Sequence, residues 1–164
     1  MNPNIIVVDE NDNIINHKSR QEVDEKGLIY RVSALWIKNS KGESLLARRA
    51  FSKSHSPGLW GPAVAGTVEQ GESYEDSIIK EAEEELGLNI FSFEKGPKIR
   101  SKDKYPHFTQ WFTCKIDRPV KEFSIQKDEV AEIKWFSRQK IEKQLKANPE
   151  EFLINMQKYL EMFY

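Results

Sequence analysis

The chain holds a single cysteine, Cys114, among 164 residues. An intramolecular disulfide is therefore excluded, the fold must be held by its apolar core, and a reducing, cytoplasmic setting is expected. Charge of neither sign is in excess: 25 basic and 26 acidic side chains leave a formal net charge of −1. No global field draws the chain to a nucleic-acid polymer or an anionic membrane. Long apolar runs are missing as well. The opening MNPNIIVVDENDN sets only Ile5 to Val8 together before an acidic turn, so neither a secretory leader nor a membrane span is expected. There is no internal repeat, low-complexity tract or linker, and the length suits one domain over residues 1–164. With 38% apolar and 31% charged residues, the composition is that of a globular protein with a charged surface.

Ile5 to Val8 predicts a short strand, ended by the turn-forming run Asp9 to Asn13. A second strand is expected from Arg31 to Lys38, with Val32, Ala34 and Trp36 on one face and Leu35 and Ile37 on the other. Asn39 to Gly42 supplies turn chemistry, Ser44 to Arg49 the hairpin partner, and Leu59 to Gly66 reads as extended. Ser73 and Asp76 stand at capping-box spacing ahead of a helix that runs to Leu86, and Gly87 suits the left-handed position past its end. Ile78, Ala82 and Leu86 give that helix a buried stripe. Further strands are expected over Lys98 to Lys102, Phe108 to Ile116 and Val130 to Phe136, then helical pattern from Arg138, divided at Asn148-Pro149. Strands with helices at separated positions predict an α/β fold whose sheet is covered on both faces. The four tryptophans read mainly as core. Trp111 is the candidate to stack on a substrate ring, because Thr109 and Thr113 share its strand face. His55 and His107 read as loop residues, and no histidine is given a ligand role.

The stretch GTVEQGESYEDSIIKEAEEELGL, Gly66 to Leu88, carries the chemistry. At about 100° per residue, Glu81, Glu84 and Glu85 fall on an arc beside the buried stripe, at the rim of the core, where a pocket can be lined. Carboxylates this close repel, by about 1 kcal/mol at 4 Å in water and about 4 kcal/mol at a surface-like dielectric. A hard divalent cation reverses that sign, since Mg²⁺ takes oxygen ligands and shares them with substrate phosphates. Arg48, Arg49 and Lys53 form a small cationic cluster just upstream, and arginine can grip phosphate in bidentate fashion.

Gly66 to Leu88 resembles the Nudix box, G-x5-E-x7-R-E-U-x-E-E-x-G-U with U aliphatic. Gly66, Glu72, Glu81, Ala82, Glu84, Glu85, Gly87 and Leu88 match, Ala82 loosely, and Lys80 replaces the usual arginine. The resemblance implies an α/β/α Nudix sandwich with a mixed β-sheet between helices. It also implies Mg²⁺- or Mn²⁺-dependent hydrolysis of a small diphosphate linked to another group, X. Carried over by position, Glu81, Glu84 and Glu85 are metal ligands and the Ala65 or Gly66 carbonyl a further one. Glu81 and Glu85 are the catalytic candidates, Glu81 being the preferred base, with Glu129 and Glu132 as candidates for a base outside the box. Lys80 is expected to pair with Glu84 or Glu72 and keep the site assembled. LLARRAFSKSHSPGLW, Leu45 to Trp60, is similar to the matching segment of isopentenyl-diphosphate isomerase and isomerase-like Nudix hydrolases, in which the counterparts of Arg49 and Lys53 hold the diphosphate; Arg48 joins them here. That isomerase needs a cysteine where this chain has Ala65 and a metal-binding histidine where it has Thr67, so hydrolysis is the expected chemistry. Isomerisation and a non-catalytic nucleotide-diphosphate sensor are the alternatives. The substrate is expected to be a nucleoside derivative first, an isoprenoid-type or other diphosphate next, selected by loops such as Phe91 to His107. The chain is read as monomer or homodimer.

Overall fold

In the computed structural model, which describes residues 2–90 and 92–164, strand β1 (Ile5–Val8) pairs antiparallel with β2 (Ile14–Lys18), and helix α1 (Arg20–Lys26) leads to β3 (Tyr30–Lys38). Then come β4 (Ser44–Arg49), β5 (Trp60–Pro62), β6 (Val64–Thr67) and helix α2 (Tyr74–Leu86). Strands β7 (Glu94–Ser101) and β8 (His107–Lys115) form an antiparallel pair, and β9 (Val130–Phe136) precedes α3 (Arg138–Ala147) and α4 (Met156–Phe163). β3 is the hub of a mixed sheet: it runs parallel to β8 and antiparallel to β1, β4 and β6, while β4 also pairs with β5 and β9.

Strand alternation sorts the side chains of β3 between two cores. Leu35 and Ile37 join Val64, Phe112 and the α2 stripe of Ile78, Ala82 and Leu86 on one face. Ala34 and Trp36 join Trp111, Ile141 of α3, and Met156 and Leu160 of α4 on the other. Each fully buried Ile or Leu contributes about 1.5–3 kcal/mol, so both helical layers are fixed by apolar burial. The result is an α/β/α sandwich with a mixed sheet.

Local signals set the ends of α2. Ser73 Oγ accepts from the Asp76 N–H at 3.0 Å, and Asp76 Oδ2 accepts from the Ser73 N–H at 2.9 Å. At the other end Gly87 takes a left-handed φ of 61°, and the Leu88 N–H reaches the Ala82 carbonyl at 3.0 Å. Ser33 Oγ donates to the Tyr74 carbonyl at 2.7 Å and ties the first turn of α2 to β3.

Several sequence expectations are corrected. Strand β2 and helix α1 occupy a stretch for which no element is predicted. β2 is largely exposed and α1 buries only Val23, so neither shows an apolar period. β7 starts at Glu94, ahead of the expected Lys98, with a break in register between Lys95 and Lys98 where Gly96 and Pro97 lie. A strand paired on one side only tolerates such residues. Ala63 divides the extended segment into β5 and β6. His107 opens β8 rather than lying in a loop. Phe91, the first residue of the expected specificity segment, lies outside the described residues.

Candidate active site

Beside the sheet lies a cavity of about 940 Å³. Its floor is β6, β3 and β8. Their register sets Ala65, Ala34 and Trp111 in one cross-strand row and Thr67, Val32 and Thr109 in the next, and all six line the cavity. Helix α2 contributes Glu81, Glu84 and Glu85 to the wall, and β4 with its following loop contributes Arg49 and Lys53. Glu129 joins them from a loop held on the end of α2, where the Gln126 N–H donates to the Glu85 carbonyl at 3.0 Å.

The three helix glutamates differ in burial. Glu84 is exposed, Glu81 is half-buried and Glu85 is 7% exposed. Burial, opposed by Lys80 and reinforced by Glu84, Glu69 and Glu129, pushes the Glu81 carboxyl up to about 7. Glu85 is raised well above the ordinary carboxylate range, first by burial, then by the charges of Glu81 and Glu129, which Arg49 and Lys53 offset only in part. None of these leading influences is a hydrogen bond to either carboxylate. Gly66 makes room for this arrangement: a Cβ there would lie 2.4 Å from both Cγ and Cδ of Glu81.

Lys80 is the hub of the acidic wall. Its ammonium lies 2.6 Å from Glu72, 2.9 Å from Glu69 and 3.8 Å from Glu81. Burial works against that charge, but the bonds to Glu72 and Glu69 prevail and hold the Lys80 pKa above its usual value. The expected Glu72 partner is present, Glu69 is an addition, and Glu84 takes no part. Glu69 accepts nothing less than a double role, since its own N–H donates to Glu72 Oε2 at 3.0 Å.

On the opposite wall, Arg49 Nε donates to the His55 carbonyl at 2.9 Å, and Lys53 pairs with Glu129. Burial lowers the Arg49 pKa against the favourable charges of Glu85 and Glu129. Arg48 faces elsewhere: it donates to the Gly58 carbonyl at 2.9 Å, covers the Phe51 ring, and does not line the cavity. Glu132 also lies apart, on β9, paired with Lys134 at 2.9 Å. Of the two outside candidates, only Glu129 reaches the cavity.

Arg20, which the sequence does not single out, is a prominent wall residue. Its guanidinium donates to Thr67 Oγ1 at 3.0 Å and Tyr30 Oη at 3.1 Å and meets His55 Nδ1 at 2.9 Å. His55 also contacts Asp24 at 3.1 Å and stacks on Tyr105 with centroids 4.0 Å apart. The available signal was the helix that carries Arg20: Ser19 caps it and Gly27 ends it with φ 59°. The proposed ring-stacking role of Trp111 is corrected, because the indole packs against Tyr159 and Phe163 at 4.7 and 5.1 Å.

The donors suit a hard divalent cation: Glu85 is buried and Glu81 half-buried, and both are carboxylates set among further negative charge from Glu84 and Glu129. Glu81, Glu84 and Glu85 all line the cavity. Among the described residues no group of three or more His, Cys, Asp or Glu stands ready to hold a metal ion. Mg²⁺ typically needs only one or two carboxylates, completing its shell with water and phosphate oxygens.

Comparison with known proteins shows the family to which the chain belongs. A family model for the NUDIX domain matches residues 28–156. An uncharacterised Nudix hydrolase of Yersinia pestis is 30% identical over 158 residues, covering 96% of this chain and 83% of that protein. An isopentenyl-diphosphate Delta-isomerase of Serratia proteamaculans is 38% identical over 89 residues, 54% of this chain and 50% of that enzyme. The crystal structure of a Deinococcus radiodurans protein superposes with a TM-score of 0.83 at 22% identity, covering 98% of this chain and 99% of that one, a likeness of fold. With a box-bearing helix lining a charged cavity and the family match spanning most of its length, the chain belongs to the NUDIX family.

Proposed function

We propose that the chain is a Mg²⁺- or Mn²⁺-dependent Nudix pyrophosphohydrolase that cleaves a small X-linked diphosphate, with residues 1–164 acting as one catalytic domain. The observation that carries this reading is that Glu81 and Glu85 on α2, both raised by burial, line one cavity with Arg49 and Lys53. Arg49 and Lys53 receive the diphosphate. Glu81, Glu84 and Glu85, with the Ala65 or Gly66 carbonyl, would hold the cation. When bound, it neutralises charge on phosphate oxygens and lowers the pKa of a coordinated water. Glu81, the preferred base, would accept a proton from the attacking water as the water oxygen bonds to phosphorus and the bridging P–O bond breaks. Lys80 positions Glu81, Glu72 and Glu69 but touches no reacting atom.

Kinship with the isomerases lies in the diphosphate-binding segment, not in the reaction. Ala65 and Thr67 stand on the cavity floor, where neither can supply a thiol or an imidazole. Cys114 packs into the core on the α2 side of the sheet, where burial pushes its thiol up to about 12. The test is Glu85→Gln, assayed for Mg²⁺-dependent phosphate or pyrophosphate release over a panel of nucleoside and isoprenoid diphosphates. Turnover should fall by at least roughly 100-fold with the fold retained. Unchanged turnover refutes the reading.

A further inference from the structure

His55 is held at both ring nitrogens, and its partners fix where the proton sits. Nδ1 lies 2.9 Å from Arg20 Nη2, and Nε2 lies 3.1 Å from Asp24 Oδ2. A guanidinium offers donors only, so Nδ1 must accept, and the ring proton is on Nε2, donated to the carboxylate. Arg20 Nε closes the circuit by donating to the same Asp24 oxygen at 3.2 Å. One cation, one anion and a neutral imidazole balance. A second proton on His55 would aim an N–H at the guanidinium and set two cations beside one carboxylate. The charged and titratable groups around the ring are Arg20 and Asp24 of α1, Tyr30 of β3 behind Arg20, Arg49 of β4, and Tyr105, which stacks on it from the turn before β8. Burial and the charges of Arg20 and Arg49, opposed by Asp24, hold the His55 pKa below its ordinary value.

The ring anchors a loop that serves the cavity. His55 stands between β4 and β5, and its carbonyl accepts from Arg49 Nε at 2.9 Å, so the position of that carbonyl sets the aim of the guanidinium. Arg49, Lys53 and His55 all line the cavity, and Lys53, on the same loop, is held by Glu129. We infer that neutral His55 is the positioning residue of the diphosphate grip: its imidazole, bonded to Arg20 and Asp24, fixes the loop whose carbonyl aims Arg49, and protonation of the ring releases it. This rests on the reading of Arg49 and Lys53 as the diphosphate site. The sign follows from the bonds. The neutral ring is the competent form, so the grip is full above the His55 pKa and weakens as pH falls below the ordinary histidine value of about 6.5.

The probe is methylene diphosphonate, whose bridge cannot be hydrolysed, titrated calorimetrically into the full chain with Mg²⁺ between pH 8 and pH 5. Titration of the ligand and of the cavity glutamates is common to all variants, so affinities are read as ratios to the parent at each pH. His55→Ala should bind roughly tenfold more weakly at pH 7.5, the scale of the lost hydrogen bonds. In hydrolysis of the best substrate it should raise KM and move kcat little. His55→Asn, which restores an acceptor near Nδ1 without a titratable ring, should recover most of that loss. The parent's affinity relative to His55→Asn should then fall roughly threefold or more from pH 7.5 to pH 5. In ¹⁵N spectra of the free chain at pH 7.5, the histidine signals lost in His55→Asn should show Nδ1 far downfield of Nε2, as an Nε2–H ring requires. An Nδ1–H ring overturns the inference, as does equal pH dependence in the parent and His55→Asn. A parent that gains on His55→Asn at low pH overturns it too, since imidazolium would then meet the phosphate directly. If His55→Ala fails to fold, the Asn comparison and the tautomer decide. Arg49→Met separates the two readings. Binding unchanged in that variant defeats the diphosphate site and this inference with it, whereas binding weakened there without the His55 effects overturns this inference alone.

Discussion

Replacing Gly66 with alanine should separate catalysis from stability. The new Cβ would stand 2.4 Å from Glu81 Cγ and Cδ, against 3.4 Å for ordinary contact, so the Glu81 side chain must retreat by about 1 Å. The backbone has no quarrel with alanine, because Gly66 is not among the residues with positive φ. Glu81 also loses little by moving, since its burial and its neighbours' charges already disfavour its ionised form. A displacement of 1 Å in a positioned catalytic group costs on the order of 100-fold, about 2.7 kcal/mol of transition-state stabilisation. Steady-state kinetics at saturating Mg²⁺ should therefore show kcat down roughly 100-fold with KM nearly unchanged, because Arg49 and Lys53 are untouched. The thermal midpoint of the metal-free variant should match the parent within about 2 °C. Parental kcat would refute the placement of Glu81, and a large loss of midpoint would show that Gly66 serves the fold instead.

Three further outcomes follow from the same geometry. The folded chain retains protons on Glu81 and Glu85 that the unfolded chain releases near 4.5, so metal-free stability is full below that pH and is lost as pH rises towards about 7 and above. For Glu81 the loss is at most about 3 kcal/mol; it should appear as a lower midpoint in EDTA at pH 8 than at pH 5.5, shrink in Glu81→Gln, and be reversed by Mg²⁺. Lys80→Met, which strips Glu69, Glu72 and Glu81 of their shared cation, should lower kcat roughly tenfold, whereas Lys80→Arg keeps it within about twofold in the same assay. Glu129→Gln should cost roughly tenfold or more in kcat/KM, while Glu132→Gln, paired with Lys134 away from the cavity, stays within about twofold.

Much of the sandwich was legible because its elements carry strong local signals. The cap at Ser73, the stripe of Ile78, Ala82 and Leu86, and the terminating Gly87 define α2 without reference to the rest of the chain. Alternation in β3 likewise anticipated its two cores. Exposed Ile14 and Ile15 on β2, and the short α1 with Val23 alone buried, gave no period to read. The site divides along similar lines. One helix brings Glu81, Glu84 and Glu85 to the wall, so spacing sufficed to group them. Lys53 with Glu129, and Arg20 with Thr67 and His55, meet only through tertiary packing over long separations, which no local pattern encodes. The sequence also treated Arg48 and Arg49 alike, yet neighbours on a strand point to opposite sides, and only Arg49 reaches the cavity.

The most direct test of the central claim is a crystal of the chain soaked in Mn²⁺ and measured at the manganese absorption edge. The account predicts an anomalous peak in the cavity about 2.2 Å from carboxylate oxygens of at least two of Glu81, Glu84 and Glu85, and its loss in Glu85→Gln. A well-ordered cavity with no peak beside these side chains, at Mn²⁺ concentrations that support turnover, would contradict it.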